Sequence, residues 1–321
     1  MADVDALLER VRGARDKGAL ARLISLVERS LADNDFGEVG IGAAEVEEDG
    51  YAVIGFTGAP GAGKSTLVDR LIGSIRTREQ EVAVLAVDPS SPFSGGAILG
   101  DRIRMQAHTS DPGVYIRSLA TRGHLGGLSV AVPEVVRLLQ RVGYPWILVE
   151  TVGVGQVEVE VVGEADITVV VLNPGWGDSV QASKAGLMEA ADVFVINKAD
   201  RPGLRDTRRD LESMLDLGGS PNPPPIVETV ATSGEGVGKL LDSLVGMRAE
   251  MAASGELSRR RGERRVRELE RLIQLGWSRE LARLPLAGLV RERVAAGAVT
   301  PRAGAQELLR QMLLSGAESE A

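Results

Sequence analysis

A glycine-rich run at residues 58–65, Gly-Ala-Pro-Gly-Ala-Gly-Lys-Ser, constrains this chain more than any other feature. An apolar run at 51–56 precedes it, and a helical pattern at 67–72 follows it. This order suits phosphate binding, because glycines let the backbone curl and the following helix presents its positive amino end. The run therefore predicts a P-loop made of Gly58, Ala59, Pro60, Gly61, Ala62, Gly63, Lys64, Ser65 and Thr66. Within this loop we expect Lys64 to reach the β- and γ-phosphates and the Ser65 hydroxyl to bind Mg²⁺.

A second motif points to the base of the nucleotide. The apolar run 192–196 ends in Asn197, Lys198, Ala199 and Asp200. The Asp200 carboxylate can accept hydrogen bonds from both the ring N–H and the exocyclic amine of guanine, whereas adenine offers no matching pair of donors. We expect Asn197 to tie this segment to the P-loop and the Lys198 stem to cover the base. The motif therefore predicts a preference for GTP over ATP.

A weaker pattern follows the strand-like run 226–229. Val230 and Ala231 stand where G proteins place a backbone contact to the guanine oxygen, although the usual Ser before Ala is Val here. We therefore include both residues among the predicted nucleotide-binding positions.

Carboxylates that follow predicted strands are candidates for holding magnesium. Asp88 follows one strand, Glu150 ends another, and Asp101 closes a glycine-containing segment of the kind that forms nucleotide-sensing switches. With Ser65 these residues are the predicted metal site, and with Lys64 they are the predicted catalytic group. The N–H of Gly153 is placed to sense the γ-phosphate.

The residue after Gly153 predicts a slow reaction. Ras-like switches have a Gln at this position that orients the attacking water. Here the residue is Val154, which cannot do so, and Gln156 lies two positions further on. We expect slow intrinsic hydrolysis that a rearrangement or a partner completes.

Composition narrows the class of protein. The chain has 321 residues, a net charge of −8 and no cysteine, which argues against general nucleic-acid binding and against disulfide or thiolate metal sites. His108 and His124 are scattered, and we expect neither to bind cobalt. Neither a signal peptide pattern nor a membrane-spanning apolar run is visible, so the expectation is a cytoplasmic protein with no membrane partner.

Apolar runs separated by helical patterns predict an α/β fold. Candidate strands are 53–56, 82–87, 114–117, 146–150, 167–172, 193–196 and 226–229. Such runs indicate a mainly parallel central sheet covered on both faces, the architecture of a P-loop NTPase G domain. We predict an N-terminal helical extension at 1–45, the G domain at 46–250 and a C-terminal helical arm at 251–321. The arginine-rich helical run 259–271 is interpreted as a solvated helix face or an intersubunit salt-bridge surface rather than a nucleic-acid patch, because Glu263, Glu268 and Glu270 interrupt its charge.

Several longer runs resemble one known family, the MeaB/ArgK/MMAA-type P-loop GTPases, which are chaperones of adenosylcobalamin-dependent acyl-CoA mutases. The resemblance covers nearly the whole chain. The runs that carry it are 55–66, 88–105, 117–127, 150–156 and 197–202.

This resemblance implies properties that the spacing of residues does not. It implies a homodimer joined through the C-terminal arm and slow hydrolysis of GTP to GDP with Mg²⁺. It also implies that hydrolysis gates the loading, protection and reactivation of adenosylcobalamin in methylmalonyl-CoA mutase or a related mutase, with the cofactor held by the mutase. The segment that contains Asp178, Gln181 and Lys184 resembles the family's additional switch, which relays the nucleotide state to the mutase.

Other functions stay open at this point. A metal-insertion GTPase of the nickel-delivery type shares the G-domain style but needs clustered Cys and His. A kinase acting on a transport protein would transfer the γ-phosphate to a protein acceptor, and a nucleotide-gated scaffold would bind GTP without turnover. The client mutase is also open, since isobutyryl-CoA and related mutases have chaperones of this type.

Overall fold

The computed structural model describes residues 2–33, 50–88, 106–120, 131–151, 163–175, 191–219 and 222–319. The chain divides into two units, Met1–Arg261 and Gly262–Ala321. The first unit contains the sheet and the nucleotide motifs, and the second is helical.

One parallel sheet organises the first unit. Its described strands are β1 (Ala52–Thr57), β2 (Val82–Asp88), β3 (Val114–Ala120), β4 (Trp146–Thr151), β5 (Ile167–Leu172), β6 (Val193–Asn197) and β7 (Ile226–Thr229). They lie in the order β3-β2-β4-β1-β5-β6-β7, and every pair of neighbours is parallel. Each predicted strand is present, and the predicted fold class is confirmed.

Helices cover both faces of this sheet. On one face lie α1 (Ala2–Ala14), α2 (Lys17–Asp33), α4 (Ala131–Arg141) and α5 (Leu204–Leu217); on the other lie α3 (Lys64–Arg76) and α6 (Val237–Ala253). A short 3₁₀ turn occupies Gln106–His108. Strands β1, β4, β5 and β6 are buried along their whole length, which explains their continuous apolar sequences.

The N-terminal helices belong to the core of the first unit. Leu8 and Val11 of α1 and Leu23 and Ile24 of α2 are almost fully buried. They share one apolar cluster with residues of β2, β4 and α4. The amphipathic pattern of this segment therefore reflects packing against the sheet domain.

Two ion pairs, one buried and one partly exposed, lie at the amino ends of the central strands. Helix α7 (Glu256–Arg283) begins there, and Arg261 donates to both carboxylate oxygens of Asp166, at 3.0 and 2.7 Å. Arg260 contacts both oxygens of Asp192, at 2.8 and 2.9 Å. We call these contacts the amino-end ion pairs. The interpretation of this arginine run as a solvated or intersubunit surface is wrong for Arg260 and Arg261, because both pair within the first unit.

The second unit consists of helices. It contains most of α7, together with α8 (Ala287–Ala295) and α9 (Pro301–Ser319). Pro301 is the first residue of α9, and the Thr300 hydroxyl caps that helix by accepting from the Ala303 N–H at 3.3 Å. Arg293 of α8 and Glu307 of α9 form an ion pair at 3.0 Å.

No helix within the described ranges is both long enough and apolar enough to cross a membrane.

Candidate nucleotide site

The P-loop lies between the end of β1 and the start of α3. Gly58 and Gly63 have φ angles of +133° and +95°, values that side-chain-bearing residues rarely adopt. A Cβ on Gly58 would overlap the Val171 carbonyl of β5, and one on Gly63 would overlap the Asn197 side chain. Glycine is therefore required at both positions by backbone angle and by close approach. Helix α3 begins directly after Gly63, so its amino end faces the loop.

Lys64 is almost fully buried, and its ammonium group lies inside the loop. It donates to the carbonyls of Gly58 and Ala59, the latter at 3.3 Å. A cation in this position attracts phosphate oxygens strongly, because burial weakens the screening by water. The predicted contact of Lys64 with the β- and γ-phosphates stays a prediction.

Ser65 and Glu150 form the described part of the predicted metal site. The Ser65 hydroxyl donates to Glu150 Oε1 at 2.6 Å, and both side chains are buried. Glu150 reaches this point because β4 lies beside β1, with Glu150 paired to Phe56 in the register. A hydroxyl and a carboxylate in contact are hard oxygen donors of the type Mg²⁺ prefers, so the residues fit the ion.

The backbone of Asp88 lies at the same edge of the sheet as Glu150. Asp88 is the last residue of β2, the neighbour of β4 on the side away from β1. The carboxyl ends of β1, β2 and β4 therefore lie along the same edge of the sheet, as magnesium ligation by Asp88 would require.

The base motif (residues 197–200) is held against the P-loop by its first two side chains. Asn197 Nδ2 donates to the Ala62 carbonyl at 2.9 Å, and Lys198 Nζ donates to the Gly61 carbonyl at 2.6 Å. Asn197 is 2% exposed, whereas Asp200 is exposed. This arrangement fits the roles predicted from sequence, with Asn197 linking the two motifs and the Asp200 carboxylate accessible to a base.

The base loop (residues 230–232) lies next to Asn197. Asn197 Oδ1 accepts from the Thr229 hydroxyl at 3.2 Å and from the Ala231 N–H at 3.1 Å. The structure thus brings Ala231 to the base motif, but it gives the Ala231 N–H a protein partner. The predicted backbone contacts of Val230 and Ala231 with guanine stay predictions.

Two further contacts involve the P-loop helix α3. Arg70 of α3 donates to the carbonyls of Ala231 and Thr232, at 3.1 and 2.9 Å, a contact that no sequence pattern predicts. His108 Nε2 lies 3.2 Å from the Asp69 carbonyl of the same helix. The loop that bears His108 is therefore packed against the P-loop helix.

Several predicted site residues lie outside the described residues. They are Asp101, Gly153, Asp178, Gln181 and Lys184, together with Val154 and Gln156, on which the predicted slow rate depends.

Known proteins resemble this chain in sequence and in fold. The family model for the methylmalonyl-CoA mutase-associated GTPase MeaB matches residues 20–282. The chain belongs to this family. A "putative GTPase" of Pyrococcus horikoshii is 48% identical over 278 residues, which cover 85% of this chain and 86% of that protein.

Two other matches extend the comparison. A fused isobutyryl-CoA mutase of Cupriavidus metallidurans is 38% identical over 205 residues, which cover 63% of this chain and 18% of that protein. The crystal structure of a protein named LAO/AO transport system kinase superposes with a TM-score of 0.71 and 25% identity, covering 97% of this chain and 98% of that one. The match extends over nearly the full length of both chains.

Proposed function

We propose that this protein binds GTP with Mg²⁺ and hydrolyses it slowly to GDP and phosphate. We further propose that hydrolysis gates the loading, protection and reactivation of adenosylcobalamin in methylmalonyl-CoA mutase or a related acyl-CoA mutase. The observation that carries the GTPase part is the contact between two motifs separated in sequence: Asn197 of the base motif donates to Ala62 of the P-loop. One ligand with both a guanine and a phosphate chain explains why the two motifs are joined.

The roles of the residues follow from their positions. Lys64 and the backbone N–H groups of the P-loop would stabilise negative charge that builds up on the phosphates as the terminal bond breaks. Ser65 and Glu150 would hold Mg²⁺ directly or through water, with Asp88 and Asp101 as further ligands. The ion would supply positive charge between the β- and γ-phosphates. Asp200 would select guanine.

The slow rate rests on Val154, which has no group that can orient water. Under this proposal the Gly153 N–H senses the γ-phosphate, and a mutase or a rearrangement completes the catalytic group. An unassisted turnover within the common enzyme range of about 1–10³ s⁻¹ would contradict it.

The mutase partner is supported by the family and by a gene fusion. The family takes its description from association with methylmalonyl-CoA mutase, and a matching segment forms part of a fused isobutyryl-CoA mutase. Fusion keeps two cooperating domains at high effective concentration. We therefore place the adenosylcobalamin on the partner and this chain in the cytoplasm beside it. Asp178, Gln181 and Lys184 are the residues proposed to relay the nucleotide state.

A homodimer is the second part of this proposal. Val266, Leu269, Ile273 and Trp277 of α7 are each about half exposed, at 56, 56, 48 and 52%. Their spacing places them along one stripe of the helix, and a stripe of this kind is the usual surface for pairing with another helix. Ile273→Glu should convert a dimer to a monomer in light-scattering measurements, whereas Leu217→Glu, at an exposed leucine of α5, should not.

The experiment that tests the whole proposal measures GTP hydrolysis by this protein alone and with apo methylmalonyl-CoA mutase, with ATP as the control nucleotide. We expect a slow GTP-specific rate that rises with mutase. Asp178→Ala and Lys184→Ala should remove the rise and leave the unassisted rate unchanged. A rate indifferent to methylmalonyl-CoA mutase and to isobutyryl-CoA mutase would contradict the partner assignment.

The same experiment separates the other functions. A solved relative of similar fold is named as a transport system kinase, so γ-labelled GTP should be used. Label recovered on a protein instead of as free phosphate would favour the kinase. Tight GTP binding without turnover, even with mutase present, would favour a scaffold, and stoichiometric nickel binding would favour metal insertion.

A further inference from the structure

Arg70 joins the P-loop helix to the base loop. It lies on α3, six residues after Lys64, and its partners are 161 and 162 residues away in sequence. Its Nε donates to the Ala231 carbonyl at 3.1 Å, and its Nη2 donates to the Thr232 carbonyl at 2.9 Å. A single planar guanidinium thus binds two consecutive carbonyls of the base loop.

The remaining hydrogen bonds of this segment leave Ala231 dependent on outside partners. Val230 is held by hydrogen bonds within its own turn. Its N–H donates to the Glu235 carbonyl, and its carbonyl accepts from the N–H groups of Ser233 and Gly234. Ala231 is held instead by Asn197 at its N–H and by Arg70 at its carbonyl, both at 3.1 Å. In a trans peptide the carbonyl and the following N–H point in opposite directions. Arg70 therefore also sets the direction in which the Thr232 N–H points.

We propose that Arg70 is a positioning residue for recognition of the 6-oxo group of guanine. It acts through the base loop, where the Thr232 N–H belongs to the peptide whose carbonyl Arg70 binds, whereas the N–H groups of Val230 and Ala231 donate to Glu235 and Asn197. Asp200, by contrast, recognises the ring N–H and the 2-amino group. This inference rests on the proposed function, and it assigns the two edges of the base to two different parts of the site.

An arginine is needed for this role. The guanidinium offers Nε and Nη2 as donors in a fixed plane, which matches two carbonyls of adjacent residues. A lysine at this position would keep the charge but would place a single donor group on a flexible stem. Arg70→Lys should therefore restore only part of what Arg70→Ala removes.

The test compares the affinities of GDP, IDP and ADP by competition against labelled GDP. IDP keeps the 6-oxo group of guanine but lacks the 2-amino group. We expect Arg70→Ala to weaken GDP and IDP equally, by about tenfold, because charged donors to two carbonyls are lost. ADP binding should stay unchanged, so the preference for GDP over ADP narrows while the preference for GDP over IDP is kept.

Two variants serve as references. Asp200→Asn should narrow the preference for GDP over IDP, which Arg70→Ala leaves intact. Arg78→Ala removes an arginine whose partner is Asp242 of α6, and it should leave all three affinities unchanged. Because ratios of affinities do not depend on the folded fraction, a general loss of stability would not produce this pattern.

The outcomes distinguish this inference from the function on which it rests. A wild-type protein without preference for GDP over ADP would overturn both. A wild-type protein that prefers GDP, with an Arg70→Ala variant of the same GDP, IDP and ADP affinities, would overturn the role of Arg70 alone. Equal loss for all three nucleotides would also overturn it, since that result indicates damage to the phosphate site.

Discussion

The two ends of the parallel sheet use charged side chains in different ways. At the carboxyl ends of the strands, Lys64 and Lys198 bind backbone carbonyls of the P-loop, and Asp200 is exposed. At the amino ends, Arg261 and Asp166 are each 1% exposed and pair with each other. Charges that lie beside glycine loops can be recruited by a ligand, whereas the buried charges of Arg261 and Asp166 pair with each other and support the fold.

The amino ends of the strands also hold the first turns of α7. Asp166 accepts from the Val53 N–H at 3.0 Å while it pairs with Arg261, whose guanidinium lies 3.9 Å from the centre of the Tyr51 ring. One carboxylate thus connects the strands β1 and β5 to the first turns of α7. The contrast between the two ends gives a direct expectation: substitutions at the amino end should change stability, and substitutions at the carboxyl end should change nucleotide handling.

The largest expected effect is at the amino end. Arg261→Met removes one partner of a buried ion pair and should lower the free energy of unfolding by about 3–5 kcal/mol, because Asp166 is left buried without it. Urea denaturation measures this loss. Arg209→Ala, at an exposed pair with Asp206, is the control and should cost less than about 1 kcal/mol. Equal costs for the two variants would remove the distinction between the ends of the sheet.

The next effect is at the carboxyl end. Lys64→Ala should slow GTP hydrolysis by about 10²–10³-fold, the typical cost of losing one charge-stabilising donor in an active site. The melting temperature should change little by comparison with Arg261→Met. A GTPase rate near that of the wild type would show that Lys64 does not contact the phosphates.

Asn197 should be an exception to this contrast between the two ends of the sheet. It is buried at the carboxyl end, yet it makes hydrogen bonds to Ala62, Thr229 and Ala231. Asn197→Ala should therefore lower the free energy of unfolding by about 1–3 kcal/mol and also weaken GDP binding. Denaturation and GDP titration of the same preparation measure both. A variant with weaker binding and unchanged stability would place Asn197 with the ligand-directed residues alone.

The smallest effect concerns acid stability near the amino-end ion pairs. Hydrogen bonds from Arg259 and Arg260 lower the pKa of Glu256 to about 2 from an ordinary value of 4.5. The ionised carboxylate therefore stabilises the fold above pH 4.5, and that contribution is lost as the pH falls towards 2. Across this range the free energy of unfolding should fall less for Glu256→Gln than for the wild type. The difference should be under about 1 kcal/mol, because Glu256 and its arginine partners are partly exposed. If the free energy of unfolding depended on pH identically in the two proteins, the lowered pKa of Glu256 would be contradicted.

The sequence predicted the strands and the positions of the carboxyl-end motifs at strand ends, because their signals are local. The run 58–65 carries the glycines, the lysine and the hydroxyl of the P-loop within eight residues, and each strand is a continuous apolar run. The base motif likewise follows directly from the end of β6. Each of these features could be predicted without knowledge of which segments meet in space.

The amino-end ion pairs and Arg70 could not be predicted in this way. Arg261 and Asp166 are 95 residues apart, Arg260 and Asp192 are 68 apart, and Arg70 and Ala231 are 161 apart. No spacing rule links such pairs, and an arginine run with intervening glutamates resembles a solvated helix surface. Only the order of strands in the sheet brings these partners together.

The close approach of Gly63 to Asn197 has a consequence for how this site can change over generations. A side chain at position 63 would overlap the Asn197 amide, and a smaller residue at 197 would give up the bonds to Ala62, Thr229 and Ala231. Either replacement is harmful while the other position keeps its original residue. We therefore expect selection to remove single mutations at either position, although the two residues lie 134 positions apart in the sequence.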